Sequence, residues 1–318
     1  MDLRPPIRRG RTTSLVVTLA LVATLLPIEP PPAAAEPAGP TRGQIDTFAG
    51  TGVYGNTGDG GSATDAQIGD PGGLAVDPRT GDVYVSLPAF HVIRHIDPSG
   101  RITTIAGTAG GAGYSGDGSE ATRAQLFSPG HLAIGPDDAL YVADHLNGAI
   151  RRIDLGTNVI TTLVGPSQQL RELTHPGHPS AGYVRRPSGL AFQPTTDGSV
   201  RLAVASENDS WIRLVDIGGG TVSTIVGTGS GGFSGDGDRA TDARLSAPRG
   251  IAYDDAGNLL IVDRSNHRIR RVDATSGSIE TILGDGRSGW EDGDGWPAAE
   301  AFASFPEDVI VVDDRSWY

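Results

Sequence analysis

The hydrophobic pattern of this chain repeats. Pro71-Gly-Gly-Leu-Ala-Val-Asp, Pro129-Gly-His-Leu-Ala-Ile-Gly, Pro187-Ser-Gly-Leu-Ala-Phe-Gln, Pro248-Arg-Gly-Ile-Ala-Tyr-Asp and Pro306-Glu-Asp-Val-Ile-Val-Val open five copies of one unit, spaced 58, 58, 61 and 58 residues apart. Each full unit then carries a second apolar run (83–85, 140–142, 202–204, 259–262), a third (92–96, 150–153, 212–215, 269–272) and a fourth (102–106, 159–164, 222–226, 279–283). Runs this short, alternating, rich in β-branched residues and separated by Gly, Asp and Asn, predict four antiparallel strands per unit. No apolar stripe at helical spacing persists beyond about two turns, which excludes a helical repeat.

A four-stranded unit cannot bury both of its faces alone, so successive units must stack face to face around an axis. The predicted fold is therefore all-β: a β-propeller of four-stranded antiparallel blades, with the most uniformly apolar strand innermost. Four blades are complete and one is split. Residues 44–50 match a fourth strand and residues from 306 match a first, and most of two strands is missing between them. The ring has five or six blades if the chain continues past Tyr318, and the incomplete blade leaves unpaired edges that invite self-association.

The segment Asp263-Arg-Ser-Asn-His-Arg-Ile-Arg-Arg-Val-Asp, framed by Pro248 to Asp254 before it and Thr281-Ile-Leu-Gly after it, resembles the NHL repeat. Repeats of this kind cover residues 44–318. The longer form with a Gly-Asp-Gly insert is similar to the NHL repeats of exported bacterial proteins and of the teneurin propeller. The resemblance implies a β-propeller, usually six-bladed, that acts as a binding platform.

Composition narrows the setting. The chain has 318 residues, 46 Gly, 22 Pro and no Cys, which excludes disulfides, thiolate metal sites and thiol nucleophiles. Arg4, Arg8, Arg9 and Arg11 precede an apolar run at 15–26, and Ala33-Ala34-Ala35 follows. These are the parts of a secretory signal peptide. The expected organisation is a signal peptide at 1–35, a linker at 36–43 and the propeller at 44–318, in a secreted protein with no membrane span once the signal is removed. A net charge of -13 and the lack of a basic patch exclude nucleic acid as a partner.

Candidate chemistry lies in the connections between blades, which run 21 or 22 residues from a closing Gly to the next Pro. Loops of that length in a compact fold carry structure or function. Twelve residues before the Pro stand Asp59, Asp117, Asp236 and Asp294, each between two glycines, with His175 at the same offset and His178 close by in the deviant third connection. These six are the candidates for a binding face. An Ala-Thr-x-Ala-x-Ile/Leu stretch after three of the acids reads as a single helical turn. The Gly-Asp-Gly segments suit turn formation, or a ring of carboxylates that takes calcium; the His pair suits a metal only with a third ligand. Arg94, Arg151, Arg213 and Arg270 recur in the third strand, followed three residues on by Asp97, Asp154, Asp216 and Asp273. Recurrence in every full blade marks them as architectural, the Arg tying neighbouring blades to carboxylate or carbonyl oxygens. Asp144 with Asn147, and Asp263 with Asn266, mark the second turn, where the first unit has Leu87 and Phe90 and the third Ser206 and Asp209.

Two functions follow. The first is an exported, non-catalytic module that recognises a protein or glycan through the face bearing the long loops, needing no cofactor. The second, with some propellers of the gluconolactonase group as its parallel, is a calcium-dependent hydrolase or lyase with its site at the mouth of the central channel. Clustered Asp, Glu, Asn and His around the axis would favour the enzyme; a broad face with no convergent polar pocket would favour the binder.

Overall fold

The computed structural model describes residues 45–165, 184–289, 295–312 and 316–317. All of its strands belong to one compact unit, Thr47–Tyr318. Four antiparallel sheets follow one another along the chain, each with its strands in sequence order. Blade one is Gly73–Val76, Val83–Leu87, Val92–Ile96 and Ile102–Ala106. Blade two is Pro129–Ile134, Ala139–Asp144, Ala149–Asp154 and Val159–Val164. Blade three is Pro187–Phe192, Arg201–Ser206, Trp211–Asp216 and Thr221–Val226. Blade four is Pro248–Tyr253, Leu259–Asp263, Arg268–Val272 and Ile279–Leu283. The strands form where alternation and β-branching placed them, and among the described residues no helix is long and apolar enough to cross a membrane.

The connections close the sheet edges. Ser119–Glu120, in the connection between blades one and two, pairs with Val159 and Ile160 as a fifth strand on the outer edge of blade two. Bridges Ser62–Arg101 and Arg239–Ser278 repeat the arrangement on blades one and four. Each such connection thus runs outward along the blade ahead of it before turning in to that blade's first strand, and it covers an edge that would otherwise template pairing with another chain. A 3-10 turn follows each time, at Ala63–Asp65, Ala121–Arg123 and Ala240–Asp242, with a fourth at Ala298–Glu300. Its alanines pack against the glycine that precedes the acid. A Cβ on Gly116 would lie 2.6 Å from Ala124 Cα, and its φ of +94 already requires glycine.

The core lies between blades. Leu132 and Leu190 are each 2% exposed and Ile251 is 3% exposed, because each projects from the first strand of its blade onto the blade before. Burial of each such side chain contributes about 1.5–3 kcal/mol. Leu74, at the same place in blade one, is 58% exposed and Val76 50%. Their face has no blade against it among the described residues. The inner strands also approach closely: a Cβ on Gly189 would meet Arg249 O at 2.2 Å.

At the split blade only part of the expected ladder forms. Residues 47–49 carry no strand, although Gly50 N bonds Ala63 O at 2.8 Å just as Gly107 N bonds Ala121 O at 2.9 Å. After Pro306, Val311–Val312 pairs with Ser316–Trp317 as a two-residue hairpin. A strand needs a neighbour to take its amides, and beyond the short Ser316–Trp317 no further strand of this blade is found among the described residues.

Candidate functional site

Strand order puts the connections between blades and the turns between second and third strands on one face. That face is tied down from below by the third-strand arginines. Arg94, Arg151 and Arg270 are wholly buried. Arg94 Nη2 donates to Asp59 Oδ1 at 2.6 Å, Arg151 Nη2 to Asp117 Oδ1 at 2.9 Å and Arg270 Nη2 to Asp236 Oδ1 at 2.6 Å. The same guanidinium groups bond carbonyls of the connection: Asn56 O at 3.0 Å, Ser115 O at 3.0 Å, Ser234 O at 2.9 Å. An aromatic ring from the connection lies over the cation in two blades, Tyr114 at 5.0 Å from Arg151 and Phe233 at 5.1 Å from Arg270. The Gly-Asp-Gly acids are thus half-exposed carboxylates, each with one oxygen engaged by a buried cation. Arg213 is buried and stacks on Trp211 at 3.9 Å. His175, His178 and Asp294 lie outside the described residues, so the structure places three of the six candidate loop residues.

The acids three residues after these arginines do something else. Asp97 accepts from Ser99 Oγ, Ser99 N and Arg101 N, Asp154 from Thr157 N and Oγ1, Asp216 from Gly219 N, and Asp273 from Ser276 N and Oγ. Each closes the turn at the end of its own third strand, on the opposite face. The hydroxyl of Ser99 chiefly holds the Asp97 carboxyl below the ordinary range, and the Thr157 and Ser276 amides do so for Asp154 and Asp273.

Beneath the second turn lie two fully buried carboxylates. Asp144 accepts from Phe127 N at 2.7 Å, Asn147 Nδ2 at 2.8 Å and Arg151 Nη1 at 3.3 Å. Asp263 accepts from Ser246 N at 2.7 Å and Asn266 Nδ2 at 2.8 Å, with Arg270 Nη1 at 3.7 Å. Burial pushes each carboxyl up to about 6, against the opposing pull of these donors. Asn147 and Asn266 also donate to Gly113 O and Gly232 O, joining turn to connection. Blade three replaces the unit with Ser206 Oγ bonded to Asp209 Oδ2 at 3.0 Å; in blade one Phe90 packs on Tyr54. The left-handed residue ending the second turn links blades in two places. His91 Nδ1 accepts from Ser128 N and His267 Nδ1 from Phe305 N, both at 3.1 Å.

Nearer the axis on the same face is a cluster that the sequence reading did not single out. Arg249 Nη1 bonds Glu307, and Arg264 Nε reaches the same carboxylate at 2.7 Å. Arg249 Nη2 lies 3.7 Å from Glu207 Oε1, and His145 Nε2 lies 3.7 Å from Glu207 Oε2. His131 accepts from Leu190 N at Nδ1 and points Nε2 at Asp308 Oδ2, 3.6 Å away. Burial holds the His145 imidazolium below its ordinary range, against Pro187 O and Glu207, with Arg186 and Arg249 acting in the same direction as burial. A signal for this cluster was present: the residue after each opening Pro runs Gly72, Gly130, Ser188, Arg249, Glu307, changing to opposite charges in adjacent units, and the next position, glycine in three units, is His131 and Asp308 in the other two.

The outer part of the face exposes Val53, Tyr54, Phe127, Leu146, Phe233 and Phe305. The opposite face has a groove of 760 Å³ at the ends of three inner strands, lined by Val76, Ile134 and Phe192 and by turn residues including Pro78, Pro136 and Pro194. Among the described residues no three His, Asp or Glu side chains lie close enough together to hold a metal ion.

A family model for the teneurin NHL domain matches residues 119–289. The chain is similar to Teneurin-1 of Gallus gallus, with 29% identity over 72% of this chain and 9% of that protein. It is also similar to the protein SUPPRESSOR OF QUENCHING 1, chloroplastic, of Arabidopsis thaliana, with 28% identity over 76% of this chain and 23% of that protein. NHL repeat-containing protein 2 of Gallus gallus is 27% identical over 72% of this chain and 34% of its own length. The chain spans about a third or less of each of these relatives.

Proposed function

From the premise that this chain belongs to the teneurin NHL domain family of NHL-repeat β-propellers, we propose that it is an exported, non-catalytic module that binds a protein partner through the face bearing the long connections. The observation that carries this reading is the set of exposed apolar side chains on that face, Val53, Tyr54, Phe127, Leu146, Phe233 and Phe305, on loops that buried arginines hold in place. Apolar and aromatic groups on a pre-organised platform are what protein interfaces use as anchors, and a rigid platform loses little entropy on binding. Aliphatic members such as Val53 and Leu146 favour a protein over a glycan. Export is supported by the basic, apolar and Ala-x-Ala segments at residues 1–35. The half-exposed Asp59, Asp117 and Asp236 serve this face by fixing its loops. Site-specific photocrosslinking in the organism that makes the protein tests the proposal. A crosslinker at Leu146 should trap a discrete protein that excess unlabelled chain competes away, and one at Thr196 on the opposite face should not. Adducts from Thr196 alone, or no protein adduct at Leu146 or Phe305, would contradict it.

The axial cluster favours a second reading. His131 and His145 beside Asp308 and Glu207 are groups that acid–base chemistry uses, and they stand where the mouth of the channel was expected to carry a hydrolase or lyase site. The calcium dependence of that reading predicts a melting temperature that rises with calcium and falls with EDTA. A melt indifferent to both removes the calcium-dependent enzyme and leaves the binder.

A further inference from the structure

In its neutral form His145 faces Glu207 with no hydrogen between them. Pro187 O can only accept, so the 3.0 Å bond from His145 Nδ1 fixes the ring proton on that nitrogen. The neutral ring then presents a bare lone pair at Nε2, and 3.7 Å away it meets a carboxylate oxygen, a second acceptor. The nearest cation to Glu207, Arg249 Nη2, is also 3.7 Å off, because Arg249 is drawn to Glu307. Among the described residues no donor reaches either atom within hydrogen-bonding distance. Both are largely buried, at 21% and 16% side-chain exposure, so bulk water satisfies them only in part.

Geometry limits what fits. A single atom about 2.9 Å from both acceptors sees them about 80° apart and must give each a hydrogen. A hydroxyl has one hydrogen and cannot serve both; a bridging water has two and can, so it is the occupant that a ligand displaces. A primary ammonium has three, and its charge suits the Glu207 carboxylate, whose neighbouring cation Arg249 is turned to Glu307, in a chain of net charge -13. The next residue along the turn, Leu146, is exposed and offers apolar surface to an alkyl stem.

We propose that the axial mouth receives a lysine side chain of the protein partner, its ammonium seated between His145 Nε2 and the Glu207 carboxylate. This deepens the protein-binding reading and rests on it. The seat gives the loop face a point of charge selection at its centre, inside the rim of aromatic and aliphatic anchors.

The test uses the full chain and the tripeptide Gly-Lys-Gly, followed by proton–nitrogen correlation of the histidine rings. The His145 Nε2 signal should shift saturably with the tripeptide and stay still with its Nε-acetylated form. Glu207→Gln should weaken the response at least tenfold while the protein still melts cooperatively, and Glu207→Asp, which keeps the charge, should give an intermediate loss should the Gln variant not fold. No shift at His145, an equal shift with the acetylated peptide, or an undiminished response in both variants would overturn the seat. A partner that crosslinks at Leu146 with equal yield in wild type and Glu207→Gln would remove the lysine seat and leave the proposed function standing. A tripeptide that titrates while no protein crosslinks would do the reverse.

Discussion

The Arg151 guanidinium, with no exposed surface, donates to the carboxylate of Asp117, 34 residues earlier in the chain, at 2.9 Å. The same cation reaches the buried Asp144 at 3.3 Å, so one side chain joins the connection, the third strand and the second turn. Its two acids are not equivalent: Asp117 is half exposed and Asp144 is not exposed at all.

That difference sets the first prediction. Arg151→Met strips the cation from a buried carboxylate and should cost about 3–5 kcal/mol. Asp117→Asn leaves the guanidinium bonded to Ser115 O and Asp144 and should cost no more than about 1 kcal/mol. Urea unfolding of both variants measures this. Equal losses would mean that the lock resides in the surface pair.

A second prediction concerns pH. The Asp144 and Asp263 carboxyls titrate near 6 in the folded protein, above their ordinary value of 3.8. A raised folded value means that their contribution is complete below the unfolded value and is lost as pH rises through about 6. Asp97, Asp154 and Asp273 have lowered values and act the other way, losing their contribution as pH falls below the ordinary carboxylate range. The stability of Asp144→Asn/Asp263→Asn relative to wild type should therefore improve between pH 4 and pH 6, by on the order of 3 kcal/mol per group. A difference flat across that window would show that burial does not govern these carboxyls.

The blade faces yield a third. Leu132→Ala opens a cavity between blades one and two and should cost about 2–5 kcal/mol. Leu74→Ala, at the same repeat position, removes a side chain that is mostly exposed and should cost under about 0.5 kcal/mol. Equal costs would show that another surface covers Leu74 in solution, and sedimentation at rising concentration would then say whether that surface is a second copy.

A fourth follows from backbone strain. The residue before each opening Pro has positive φ: Asp70 at 45°, Ser128 at 54°, Arg186 at 47°, Ala247 at 47° and Phe305 at 47°. Replacing Phe305 would lose its ring contacts with His267 and Arg264, but Ala247 has only a methyl to lose. Ala247→Gly should raise stability by about 0.5–1 kcal/mol, a gain that an ordinary alanine position would not give. A lowered melting temperature would contradict the strain.

The strands were legible because a two-residue alternation recurs behind an invariant proline, and each unit repeats the evidence of the last. The buried arginines were legible as architecture for the same reason. Their carboxylate partners were not, since Asp59, Asp117 and Asp236 lie 34 or 35 residues away on a loop, while local spacing draws the eye to Asp97, Asp154 and Asp273, which close their own turns. The axial cluster was hidden by its origin in six different segments. His145, Glu207 and Arg264 come from second turns, Arg249 and Glu307 from the position after the opening Pro, and His131 and Asp308 from the position after that. Only the stacking of blades brings them together.

The central claim is that the loop face is where a protein partner sits, and hydrogen exchange on the complex with the crosslinked partner tests it most directly. The account predicts slowed exchange in the connections at 51–58, 108–116 and 228–235 and in the second turns at 145–148 and 264–267, with the turns at 77–82, 135–138 and 193–200 unchanged. Protection confined to those last three turns, around the groove of the opposite face, would contradict it.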